Sequence, residues 1–256
     1  MINWMITLLS FLVIIIGTLV HGIAGFGLAQ VAMGLMPLFR SPKSASIIFS
    51  LIAVLSNLRI WWSVREHFEV RDWSAPVAGL IVGMPIGIYF FSSLNSGQLR
   101  IAIAITLFIA VILIALMKQL KFLQQWLSQT SIEPDWKTGI LAGFAAGILG
   151  GAVAIPGPPM IIYGTFMVAT GIWQSKRMKA VFTAFFGTLM LYRFLSLAIN
   201  GVVTTKLMLE TLIILPGLFI GAWLGIKVYN HIPEKIFSWI VLLMLTINAF
   251  ILLITA

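Results

Sequence analysis

Residues 138–175 read TGILAGFAAGILGGAVAIPGPPMIIYGTFMVATGIWQS, and none of these 38 side chains carries a charge at neutral pH. At about 1.5 Å per residue an unbroken helix of that length would reach ~57 Å, against about 30 Å of bilayer hydrocarbon. The stretch is too long for one crossing and slightly short for two with a turn. Three prolines in four residues (Pro156, Pro158, Pro159) cannot continue a helix. The reading is a crossing helix followed by a half-helix or re-entrant piece. Residues 2–39, also 38 long and uncharged, repeat the pattern around HGIAGFGLAQ (21–30) and Pro37.

The rest of the chain has the same character. Of 256 residues, 61% are hydrophobic and only 9% charged, and mean hydropathy is +1.09. A soluble domain carries about 25% charged residues, and a globule of this size lacks the volume to hide so much apolar surface from water. Lipid is therefore the solvent for much of it, which excludes soluble enzymes and disordered tails. The absence of cysteine excludes disulfide scaffolds, thiol catalysis and thiolate metal sites. The net charge of +9 would suggest nucleic acid in a soluble protein. Here the basic residues sit in short loops between apolar runs, which is how membrane proteins fix their orientation, so no nucleic-acid partner is expected. The first twenty residues lack a positive n-region and a cleavage site and read as a retained membrane segment.

Charged residues divide the chain. The runs 44–64 and 180–199 are each interrupted by one arginine, Arg59 and Arg193. Residues 73–99, 101–117, 207–226 and 236–256 supply further spans, and Lys118 to Lys137 is the longest polar stretch. Sliding the second half back by 134 places Arg193 on Arg59, Arg177 on Lys43, Gly217 on Gly83 and Gly221 on Gly87. The expected fold is an all-α polytopic membrane protein with about 8 transmembrane helices in two tandem four-helix repeats, each opening with a Gly/Pro-broken or re-entrant segment. The first repeat covers 1–117, an interfacial linker 118–136, and the second repeat 137–256. Internal repeats of this kind build many secondary transporters. If each opening run crosses once in net, the halves are parallel and both termini face outward; if it crosses twice, they are inverted. The loops with Arg40 and Lys43, with Arg100, and with Lys176, Arg177 and Lys179 are net positive and are placed in the cytoplasm, and the charge-balanced loop 65–72 outside.

The choice of candidate site residues rests on cost. Irregular backbone at membrane depth is tolerated only where protein buries it or a watery cavity adjoins it, and free N–H groups at a helix start suit an anion. The IPGPP cluster is read as functional, whereas Gly83/Gly87 and Gly217/Gly221/Gly225, spaced by four, are read as close helix packing. Arg59 and Arg193, each inside an apolar run, stand open between a functional buried charge and a snorkelling side chain. All seven acidic residues lie in or beside loops; with no carboxylate at mid-membrane, a cation substrate is disfavoured and an anion favoured. His21 is the one group titrating near neutral pH inside an apolar run, although a lone histidine is more often a satisfied polar group. Gln30, Asn57 and Gln174 are polar candidates at similar depths. No catalytic cluster, metal-ligand set or cofactor motif is present, so none is expected.

The glycine string GIAGFG (22–27), the motif GFAAGILGGAVAIPGPP (143–159) and the basic loop after each resemble the TauE/SafE family of sulfite exporters over residues 10–254. The resemblance implies a two-repeat anion permease of the bacterial inner membrane, linked to sulfite, sulfoacetate and related organosulfur compounds, with a central site between the broken segments. It adds Gly25, Gly27, Gly150, Gly151, Pro156 and Pro158 as motif positions to His21, Gln30, Asn57, Arg59 and Arg193. The expected partners are a small anionic substrate and the lipid bilayer, with a homodimer left open. An anion channel, or a permease for a non-sulfur anion, is the alternative within transport. A membrane-embedded enzyme or assembly factor is the alternative outside it.

Overall fold

The computed structural model describes residues 3–24, 27–119, 135–229 and 234–256. The helices are α1 (Trp4–Ala24), α2 (Leu28–Leu35), α3 (Pro42–Val64), α4 (Val70–Ser93), α5 (Ser96–Gln119) and α6 (Trp136–Val153). They continue with α7 (Gly157–Ala169), α8 (Ser175–Ile199), α9 (Thr205–Ile214), α10 (Pro216–Tyr229) and α11 (Glu234–Ile254). Short 3₁₀ turns cover Met36–Leu38 and Arg65–His67. Among the described residues seven stretches are long and apolar enough to cross a membrane, and Leu28–Leu38 and Gly157–Ala169 are shorter apolar helices. The chain is an all-helical, multi-pass membrane protein. The expected linker falls mostly on residues 120–134, outside the described ones, as does Gly25.

Contacts fix the helix directions. Leu28 and Val31 meet Gly17, Gly27 meets Val20, and Arg40 donates to Ser10 Oγ at 3.1 Å. The chain that rises through α1 therefore returns beside it through α2. The second opening run does the same, because the Tyr163 hydroxyl of α7 lies against Gly139 near the start of α6. Glycines let two helix pairs touch backbone to backbone. Gly79, Gly83 and Gly87 of α4 sit against the carbonyls of Ile140, Phe144 and Ile148, so α4 and α6 run parallel. Gly217 and Gly221 of α10 meet Phe11 and Ile15 in the same way, so α10 runs parallel to α1. Without a hydrophobic force between helices in lipid, such close van der Waals packing is what holds them together. The packing reading of these glycines agrees with this geometry. Helix α3 lies against α8, and α5 against α11.

One end of the bundle holds the start of α3, the start of α9 and the C-terminus, where Arg100 donates to the Thr255 carbonyl at 2.7 Å. We refer to it as the terminal end. The other end holds Arg65–His67 and the starts of α4, α6 and α8. There Arg177 pairs with Glu69 at 2.7 Å and with Asp72 at 2.5 Å. This corrects the expected orientation. The Arg40 and Arg177 loops lie at opposite ends and cannot both face the cytoplasm, because each opening run doubles back and reverses the direction of the helices after it. Glu210 also departs from expectation. It adjoins a loop in sequence, yet it is buried within a span and paired with Arg40.

Candidate substrate-binding cavity

The two hairpin tips converge. Gly27, with φ +105°, starts the return of the first. At the second, α6 closes on Ala154, which has φ 61° and donates its N–H to the Gly150 carbonyl at 3.0 Å. This left-handed position favours glycine, so alanine holds it at a cost in strain. Gln30 Nε2 from the first tip lies 3.1 Å from where a Cβ on Gly157 of the second would stand. The tips are therefore in contact, and a Cβ at 157 would require the Gln30 amide to give way by a few tenths of an ångström.

Beside them is a cavity of about 340 Å³. The tips supply His21, Gly27, Leu28, Ala29, Gln30, Pro156 and Gly157 to its wall. Phe49, Ala53 and Asn57 come from one face of α3, and Ser175, Lys179, Phe182, Phe186 and Met190 from one face of α8. The wall is mostly apolar with a few convergent polar groups, the usual make-up of a ligand site. His21 Nδ1 lies 3.3 Å from Ser56 Oγ, which leaves its other ring nitrogen for the cavity. Asn57 donates to the Ala53 carbonyl at 2.8 Å. Among the lining residues Lys179 bears the permanent charge and none is a carboxylate. Ser175 is exposed and Lys179 half-buried, so the cavity opens at the Asp72 end.

Five of the expected residues line it: His21, Gly27, Gln30, Asn57 and Pro156. Gly150, Gly151, Pro158 and Arg193 are buried close by but form no part of its wall. Gly150 packs on Leu189, and Gly151 on Gly87. Arg59 lies away from the cavity, its side chain exposed on the face of α3 opposite Asn57, as a snorkelling arginine would be. Gln174 is exposed beside the mouth. Sequence reasoning reaches Gly157 only through the IPGPP cluster and passes over Lys179. Lys179 stands at the head of the stripe 179, 182, 186, 190, 193 on α8, whose helical spacing continues to Arg193. In sequence its basic neighbours make it look like an orienting loop charge.

Arg193 is fully buried beyond the inner wall. Its Nε donates to the Gly151 carbonyl at 3.1 Å. Nη1 donates to Ser50 Oγ at 2.7 Å and to the Ser46 carbonyl at 3.2 Å, and Nη2 to Ser46 Oγ at 3.2 Å. The guanidinium carbon lies 4.7 Å from the centre of the Phe91 ring. One side chain thus ties α8 to α3, α6 and α4.

Residues 9–252 match the family described as Sulfite exporter TauE/SafE. The chain belongs to that family. It is a family of transporters, and transmembrane transport is the activity class. No curated protein and no solved structure matches the chain.

Proposed function

We propose that the chain is a secondary transporter for a small sulfur-containing anion, sulfite, sulfoacetate or a related organosulfonate, working as an exporter in the bacterial inner membrane. The carrying observation is the cavity beside the hairpin tips, whose lining holds Lys179, polar His21, Gln30 and Asn57, and no carboxylate. Lys179 attracts the anion at the mouth, the polar groups receive its oxygens, and the apolar wall accepts a carbon skeleton. Gly27, Pro156 and Gly157 let both backbones approach. The other expected positions act from behind the wall: Gly150 and Gly151 seat the tip, and Pro158 starts α7.

The matching register of 134 and the reversed helix directions support two inverted repeats, a plan in which alternating access moves one unit against the other around a central site. Arg65, Arg71, Lys137, Lys176, Arg177, Lys179 and Lys227 cluster towards the open end, against Arg40, Lys43, Arg100 and Lys206 at the terminal end. An excess of Lys and Arg marks the cytoplasmic side whatever acids accompany them. The open end is therefore assigned to the cytoplasm, and the cavity faces the pool an exporter draws from. A membrane potential negative inside favours anion efflux by about 2.3 kcal/mol per charge per 100 mV.

Thermal unfolding of the purified protein against sulfite, sulfate, thiosulfate, sulfoacetate, taurine, phosphate and acetate tests this. A ligand at 100 times its dissociation constant stabilises by about 2.7 kcal/mol. Selective stabilisation by sulfite or a sulfonate, weakened about tenfold in affinity by Lys179→Ala, is expected. A folded protein that responds to none of them overturns the organosulfur assignment.

A further inference from the structure

Arg193 continues the cavity along its own walls. On α8 it follows Met190 by three residues, and on α3 its partners Ser46 and Ser50 bracket Phe49, so the same two helix faces run from the cavity to the guanidinium. The geometry gives Arg193 an unusual electrostatic position. Every hydrogen-bond partner it has is neutral: two serine hydroxyls and two carbonyls. No ion pair to it is formed among the described residues, although it has no solvent exposure. A buried cation without a counterion is costly in a membrane protein and is kept where the charge is used.

We propose that Arg193 is a second anion station and, at the same time, the barrier on the terminal side of the cavity. This rests on the cavity being the transport site. In the state seen here Ser46, Ser50 and the Gly151 carbonyl hold the guanidinium across the path between α3 and α8. An anion arriving from the Lys179 mouth offers it a full negative charge, and charge-assisted hydrogen bonds are about twice as strong as neutral ones. The anion takes over the guanidinium, its neutral partners let go, and α3 and α8 are free to part towards the terminal end. The ligand class is an oxyanion with at least two oxygens on one face, since a planar guanidinium favours bidentate pairing.

The chain contains no cysteine, so a single introduced thiol reports access directly. Ala53→Cys, on the cavity wall, is labelled with a membrane-impermeant maleimide from each side of oriented vesicles. The expected result is labelling from the Asp72 end only in the otherwise unchanged protein, and from both ends once Ser46→Ala and Ser50→Ala are added. A second expectation is that sulfoacetate raises terminal-side labelling of Ala53→Cys, and that adding Arg193→Lys, which keeps the charge but cannot reach all partners, removes that response. Equal labelling from both ends before the serines are changed overturns the barrier. So does a folded serine double variant that stays closed at the terminal end. Lack of any sulfoacetate response in a protein that binds sulfoacetate thermally overturns the anion station. Absence of both binding and transport, with the access pattern as expected, instead counts against the transport reading and leaves the barrier standing.

Discussion

Arg193 and Arg59 lie 134 residues apart, each the lone charge in an apolar run, yet one is fully buried and the other exposed. Their surroundings explain the difference. Arg193 reaches Ser46, Ser50 and the Gly151 carbonyl, with Phe91 beneath. Shifted by the same 134 residues, Ser46 and Ser50 become Ala180 and Ala184, and Phe91 becomes Gly225. The residues so matched offer no hydroxyl pair and no aromatic platform, and Arg59 lies on the exposed face of α3. A guanidinium's depth is decided by its acceptors, and those lie on other helices.

The sharpest way to break this comparison is to remove both arginines in turn. Arg193→Met leaves two buried serine hydroxyls and two carbonyls without their donor and loosens four helices. Each buried acceptor left without its donor costs about 1–3 kcal/mol, and several lose it here. Arg59→Ala changes an exposed side chain and should stay within about 0.5 kcal/mol. Chemical unfolding in detergent reads both, and a smaller loss for Arg193→Met than for Arg59→Ala would refute the acceptor argument.

The glycine contacts give a second contrast with a smaller effect. A Cβ on Gly83 would overlap the Phe144 carbonyl of α6, whereas one on Gly187 meets only Asn57 Cβ at 3.5 Å. Gly83→Ala must push α4 off α6, a backbone shift worth about 1–3 kcal/mol. Gly187→Ala has ordinary contact and should be neutral or slightly stabilising, since alanine favours the helix by about 1 kcal/mol. Thermal midpoints of the two variants, compared directly, check this.

How far the sequence revealed these features depended on whether the cause was local. The uncharged runs, their length and their proline and glycine content identify the membrane class and the places where helices stop at Val153 and resume at Gly157. The four-residue glycine spacing announces the α4 and α10 packing faces, though not the helices they meet. What stayed hidden was set by pairing at a distance. Nothing near Arg177 in sequence shows that it will meet Asp72, and nothing near Glu210 shows that Arg40 will cover it. Loop charge therefore misplaced one end of the molecule. Of the cavity, His21, Gln30, Asn57 and the Gly27 and Pro156 tips were readable as polar or backbone-breaking residues in apolar runs. Lys179 was not, since its role comes from the α8 face it shares with Phe182, Phe186 and Met190.

The two ion pairs at opposite ends provide the last and smallest test, which turns on solvent. The Arg40 and Glu210 side chains are 7% and 5% exposed, while those of Arg177 and Glu69 are 27% and 55%. Water and salt reach the second pair, and screening within about 10 Å at 0.1 M ionic strength weakens it. Exposed ion pairs contribute about 0–1 kcal/mol. Arg177→Ala should therefore cost less than about 1 kcal/mol at low salt, and that cost should fade as sodium chloride is raised. The buried pair offers its charges no such access, so the cost of Arg40→Ala should be larger and nearly independent of salt. Unfolding free energies for both variants at low and high sodium chloride separate the cases. A salt-insensitive Arg177→Ala loss would mean that the contact with Asp72, whose side chain is 10% exposed, governs that end rather than the open Glu69 one.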